Sequence, residues 1–182
     1  MKRVLVLVAV VGGAAVVAAI SASARLEAAP ARPAAASDRQ SGFILTPPAA
    51  SAGQMVLYGH VRKLTRKGGH YELRFDPAWF TSGVTATRAK LEDTGSSDVP
   101  NDNYVIEEGH RLLTYLVPTT ARITVLVNNG TKGINSTPIT VAELARIVNG
   151  GPHRKLFEPL ASGTWIRVRI DTVRELDQQY QP

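Results

Sequence analysis

Four histidines, at positions 60, 70, 110 and 153, are the residues of this chain best suited to metal or proton-transfer chemistry. No two of them stand at H-x-x-x-H spacing. His60 and His70 flank the glycine pair Gly68-Gly69, so a hairpin there would set both imidazoles beside Glu72 on its polar face. Two imidazoles and a carboxylate could hold zinc; with no ligand spacing met, exposed sheet residues are the plainer reading. Oxygen ligands gather a second time in Asp98, Asn101, Asp102 and Asn103, a set that could suit calcium. That stretch lacks the glycine and terminal glutamate of an EF-hand loop, and Asn and Asp beside Pro100 are ordinary turn formers. No other cofactor is indicated.

Nucleophilic catalysis has little to work with. The chain has no cysteine, and no G-x-S-x-G, S-x-x-K or H-E-x-x-H pattern occurs. Asp76 and Asp102 form a conceivable acid–base pair, although Asp76-Pro77 reads better as a helix cap followed by the first helical residue. A hydrolytic site near Asp102 and Tyr104 is therefore the alternative to a binding role. For binding, Arg62, Lys63, Arg66 and Lys67 make a basic hairpin tip to which Arg154 and Lys155 could add, and Asn101, Asp102 and Tyr104 offer a polar loop. Anionic lipid headgroups, acidic wall polymers or a membrane protein are the partners that such a tip suits.

These residues have to be carried by a domain, and its location is set by the chain's opening. Val4 to Ile20 contains only Val, Leu, Ala, Ile and Gly behind Lys2 and Arg3. Extended to Ala24 as a helix it would span roughly 31 Å, close to the hydrocarbon thickness of a bilayer. A basic start, an apolar run and Ala22-Ser23-Ala24 match a cleavable export signal, with an uncleaved anchor as the alternative. Either places the remainder outside the cytoplasm, secreted or anchored through residues 4–24. Residues 25–53 are rich in Ala, Pro and Ser and read as a linker. Residues 54–182 are then one globular domain. The net charge is +6, about +4 once Lys2 and Arg3 are set aside, too small a surplus to imply nucleic acid.

Within that domain the periodicity predicts strands over Met55–Leu64, His70–Phe75, Tyr104–Ile106, Leu112–Val117, Arg122–Val127 and Trp165–Val173. For Leu57 and Val61 to share a face with Tyr71 and Leu73, the first hairpin needs an odd-length loop or a bulge. A short helix is expected from Pro77, interrupted near Gly83 and resuming toward Leu91. A second follows the capping box Thr140-Val141-Ala142-Glu143 and ends at Gly150-Gly151-Pro152. The fold class is mainly β with two short helices, as a small antiparallel OB-like barrel or a strongly curled sheet. An open α+β sheet with both helices on one face is the alternative.

Phe75-Asp76-Pro77-Ala78, Pro100-Asn101-Asp102-Asn103-Tyr104 and Gln178-Gln179-Tyr180-Gln181-Pro182 together resemble a group of small exported proteins of high-GC Gram-positive bacteria with no assigned activity. The likeness spans roughly residues 54–182. It implies an exported domain and supplies no catalytic or binding residues. The expected function is a non-enzymatic binding or accessory module of the cell envelope.

Overall fold

A two-residue turn at Gly68-Gly69 folds the first long stretch back on itself. It joins β1 (Met55–Lys67) to β2 (His70–Ser82) in the computed structural model, which describes residues 48–109, 111–130 and 133–181. The expected export segment and nearly all of the Ala/Pro-rich stretch lie outside the described residues. At the turn Lys67 opposes His70 and Leu64 opposes Leu73, whereas beyond it Val61 opposes Phe75. The register shifts between Val61 and Lys63, so the bulge foreseen from parity is present, and Arg62 is the inserted residue. Its insertion lets Val61 and Leu64, three positions apart on β1, both face the core opposite Phe75 and Leu73.

Helix α1 (Gly83–Thr94) follows, then β3 (Asn103–Glu107), β4 (Leu113–Pro118), β5 (Arg122–Asn128), β6 (Ile134–Ile139), α2 (Val141–Val148), β7 (Thr164–Arg169) and β8 (Thr172–Gln178). The eight strands form one sheet. The pairings β1–β2, β2–β4, β4–β8, β8–β7 and β7–β1 close a ring. Two of the contacts on β8, with β4 and with β5, are parallel and the other pairings are antiparallel. This is the mainly β, strongly curled arrangement with two short helices. Inside the ring sit Leu64, Leu73, Phe75, Val117, Ile166 and Val173, and Val141 and Leu144 of α2 pack on the same cluster.

Helix α2 begins as its sequence dictates, with the Thr140 hydroxyl accepting the Glu143 amide at 3.1 Å. Instead of reaching back to Thr140, the Glu143 carboxylate takes Arg154 at 2.6 Å. The first helix departs from expectation. Asp76 and Pro77 stay in β2, because the Asp76 carboxylate binds Arg62 across the hairpin at 2.6 Å and does not cap a helix. Pro77, lacking an amide donor, stands where β2 leaves β4 after Phe75 and takes up β3 from Ala78. The helix starts only at Gly83.

Two strands escape the periodicity. β6 reads Ile-Asn-Ser-Thr-Pro-Ile; it pairs with β5 on one side, which tolerates Pro138. The expected single strand Trp165–Val173 is two, broken by a turn at Ile170-Asp171 with φ of 45° and 53°. Asp171 is a usual occupant of such a turn, but Ile170 is not, and it hides the break from a sequence reading.

Two glycines permit close approaches around Tyr58: Gly163 to its hydroxyl and Gly59 to β2. A Cβ at Gly163, where φ is 132°, would overlap the Tyr58 hydroxyl, and one at Gly59 would strike the Asp76 carbonyl. Gly163→Ala should therefore destabilise the fold by about 3 kcal/mol. Gly69→Ala, whose added methyl meets nothing within 4 Å, should change stability by less than about 0.5 kcal/mol. Urea unfolding of both decides it; equal losses would remove the close-approach argument.

Candidate functional site

The bulge at Arg62 determines which side chains face outward beyond it. Lys63, Thr65 and Lys67 alternate with the buried Leu64 and lie directly opposite Arg74, Glu72 and His70 of β2. On the far side of β2 the same rows continue to Thr114, Leu116 and Pro118 of β4. The outer face of β1–β2–β4 thus holds three rows: Lys63–Arg74–Thr114, Thr65–Glu72–Leu116 and Lys67–His70–Pro118. The first and last rows are four residues apart, about 13 Å at strand spacing.

Few of these charges are neutralised within the domain. Among the described residues no carboxylate forms an ion pair with Lys63, Arg66, Lys67 or Arg74. Arg74 donates to the Thr114 hydroxyl at 2.6 Å and Arg66 to the Gly68 carbonyl at 3.3 Å. Lys63 directly opposite Arg74 is a like-charge pair, which disfavours the hairpin by a few tenths to about 1 kcal/mol. Lys67 opposite His70 adds a pairing with no acid. Of the four basic residues picked out in the sequence, Arg62 alone is engaged, by Asp76. Arg154, bound to Glu143, is likewise paired within the fold.

The outer face of β7, β8 and β5 is mixed. Arg167 contacts Glu175 at 2.8 Å and Asp177 at 2.5 Å, Arg122 reaches Glu175 at 3.3 Å, and Thr124 donates to Asp177. Arg122 and Arg167 thus have internal acids, whereas Arg169 of β7 and Arg174 of β8 are exposed with no acid paired to them among the described residues. On the β1–β2–β4 face Lys63, Lys67 and Arg74 likewise have none.

The other expected sites are not brought together. Asn103 pairs with Ser82, at the end of β2 remote from the Gly68-Gly69 turn. The Asn101–Tyr104 loop therefore lies on the order of 40 Å along β2 from the basic tip. Asn101 and Asp102 adopt φ of 60° and 56°, and Asn103 bonds back to the Asn101 carbonyl at 3.0 Å. The Tyr104 hydroxyl donates to Asp93 at 2.5 Å, a contact that pushes the phenol pKa up. Asp76 sits six positions before Ser82, roughly 20 Å along the strand from Asp102, so these two make no carboxylate pair. His60 opposes Asp76 while His70 opposes Lys67, which separates the imidazoles that a zinc site would need. Among the described residues no group of three or more His, Asp or Glu is placed to hold a metal ion.

His60 does something else. It is buried, with Nδ1 at 2.8 Å from the Ala161 carbonyl and Nε2 at 2.7 Å from Glu107. A carbonyl only accepts, so Nδ1 donates to Ala161, and the ring ties β1 to β3 and to the 160–162 turn. Beside it Tyr58 donates to the Ser162 carbonyl and accepts from Gln181. Burial drives the Tyr58 pKa far above the usual phenol range, with Glu107 and Glu158 adding to the effect. Tyr58, Phe80 and Trp165 stack at 5.0–5.9 Å centroid separations. They back a cleft of about 290 Å³ bordered by Val56 and by Trp79, which is 59% exposed. The sequence offered no signal for this cluster, because its members come from four separate stretches.

No family model, curated protein or solved structure matches the chain. Functional inference therefore rests on geometry and charge.

Glu158 is the acid with an unmet need. It borders a cavity of about 510 Å³ beside Val61, Val148 and Leu160. Neither carboxylate oxygen is accessible or hydrogen-bonded among the described residues. Desolvation raises its pKa, and the Gln181 backbone amide, outside good hydrogen-bond geometry, offsets only part of that. An acid whose folded pKa is raised favours the fold while protonated. That contribution is complete below the unfolded pKa and is lost as pH climbs through the folded one. Glu158→Gln should therefore melt higher than the parent at pH 7, with the gain vanishing below about pH 4. A gain of equal size at both pH values, read by thermal unfolding, would show that ionisation of Glu158 is not the cause.

Proposed function

We propose that this domain is a non-enzymatic binding module of the cell envelope, exported or anchored through residues 4–24, whose ligand is anionic. One observation carries the reading. Lys63, Arg74, Lys67 and His70 form two facing rows on the β1–β2–β4 surface, with a like-charge pair directly across the ladder and, among the described residues, no internal acid paired to its lysines. A hairpin that keeps such a pair gives up stability that a Thr or Glu at position 63 would recover. An external anion supplies the missing partner. On the same sheet Arg122 and Arg167 do have internal acids, Glu175 and Asp177, of the kind that Lys63 and Lys67 lack.

The ligand contacts assigned here are Lys63, Lys67, His70 and Arg74; Arg66, opposite the buried Tyr71, lies off this face. Arg62 holds the bulge through Asp76 and orients the row beside it. Asp102 and Tyr104 take no part in this reading.

Replacing Lys63 and Lys67 together by Thr should separate stability from binding. Binding of the full chain to dextran sulfate should fall at least tenfold, each cation near an anionic surface being worth about 1 kcal/mol. The midpoint of urea unfolding should stay level or rise. Affinity should also drop steeply with added salt in the parent and weakly in the variant. Unchanged binding in the double variant would sink the assignment of this face.

A further inference from the structure

The physical form of the anion follows from what stands beside the cationic rows. We propose that the surface is an anionic lipid leaflet, with the β7–β8 tip inserting Ile170 into the acyl boundary while the β1–β2–β4 face holds headgroups. The proposal rests on the anion-binding reading above and adds an apolar component to it.

Ile170 is the first of the two turn residues and is 87% exposed. It adopts φ of 45° and Asp171 adopts 53°. Left-handed backbone is an outlier for a β-branched side chain, and Asn, Asp or Gly are the usual occupants of such a turn. Here Ile170 has both an unfavourable backbone and an unfavourable solvent, and its exposure leaves little packing to compensate either. The tip is nevertheless held in place. The Asp171 carbonyl accepts the Leu116 amide at 2.9 Å and the Thr172 hydroxyl donates to the Ile170 carbonyl at 3.1 Å.

The first bond fixes the tip against the face already described, and the second closes the turn itself. Leu116, 46% exposed, pairs with Thr172 on one side and Glu72 on the other, between the two cationic rows. Arg169 and Arg174 flank the tip and are also exposed. An exposed Ile170 and Leu116, set among Lys and Arg that outnumber the nearby acids Asp171 and Glu72, are the two components of interfacial binding: insertion below the headgroups and attraction to anionic lipid. A soluble acidic polymer would use the cations and gain nothing from Ile170.

The chain has no cysteine, so Ile170→Cys gives a single labelling site for an environment-sensitive fluorophore. The labelled full chain is reconstituted into vesicles of phosphatidylcholine with 30 mol% phosphatidylglycerol, or of phosphatidylcholine alone; the anchor segment is then common to both. The label should shift to the blue and be quenched by acyl-chain spin labels in the anionic vesicles, and stay aqueous in the neutral ones. Adding Lys63→Thr and Lys67→Thr should lower the inserted fraction about fivefold or more per cation. A label that stays aqueous on anionic vesicles, while dextran sulfate still binds through Lys63 and Lys67, overturns lipid docking and leaves the anion-binding reading standing. Loss of both overturns both. Equal insertion into neutral vesicles overturns the headgroup role. Should the label disturb the hairpin, amide hydrogen exchange at Thr172 and Val173 of the unlabelled chain decides the same question: slowing on anionic vesicles supports docking, and no slowing overturns it.

Discussion

One inserted residue governs the molecule. Strand side chains alternate with a period of two, so a hairpin with a two-residue turn and no irregularity could not bury both Leu64–Leu73 and Val61–Phe75. Arg62 absorbs the mismatch, and the register changes there. From that one position follow the continuous core along β1 and β2, the curl that lets the ring of pairings close, and the outward direction of Lys63, Thr65 and Lys67. The bulge also explains why Asp76 stays in the sheet. Its carboxylate is the partner that holds the Arg62 guanidinium, and a helix starting at Pro77 would take that partner away.

The closing end of the chain locks what the bulge shapes. Gln178 is buried, accepts the Leu126 amide at 2.9 Å and donates to the Glu158 carbonyl at 3.1 Å. Gln179 accepts the Trp165 indole at 2.6 Å, and Gln181 donates to Tyr58 at 2.7 Å. Three glutamines within four positions thus satisfy polar groups contributed by β1, β5, β7 and the 158–163 segment. Each would be costly if left unpaired, at roughly 1–3 kcal/mol for a buried donor or acceptor. Gly59 and Gly163 are tied to the same centre, because Gly163 leaves room for the Tyr58 hydroxyl and Gly59 lets β1 lie close on the Asp76 carbonyl.

The fold was largely legible where one physical rule acted alone. Alternation marked β1, the first half of β2, β4, β5 and β7, and the Thr140 cap marked α2. It failed where two rules competed. Asp76-Pro77 carries a strong local helix signal, but the cross-strand ion pair with Arg62 depends on a residue fourteen positions earlier. Ile170 looks like the next inward residue of a strand, because its alternation with Val168 is intact; only the ring closure demands a turn there. The basic tip was visible as a charge run. Its partition into an engaged Arg62 and outward Lys63 and Lys67 depends on the bulge and could not be read from spacing. The Tyr58–His60–Glu107–Gln181 cluster was invisible for a simpler reason: hydrogen bonds between residues up to 123 positions apart leave no local pattern.

Departures from local consistency occur at several places, among them the buried, unpartnered Glu158 carboxylate and the exposed Trp79 and Val84. Sequences that specify a fold tend to satisfy propensity, patterning and charge together, and the exceptions concentrate where function is carried. In this domain a like-charge cross-strand pair, a β-branched residue in left-handed backbone and an exposed Leu116 all fall on or beside the β1–β2–β4 face. Each has an inexpensive alternative within strand or turn chemistry: a Thr or Glu at 63, an Asn at 170, a Thr at 116. The opposite outer face neutralises Arg122 and Arg167 through Glu175 and Asp177 and leaves Arg169 and Arg174 without an acid among the described residues. The proposed partner, anionic and apolar together, would remove all three inconsistencies at once.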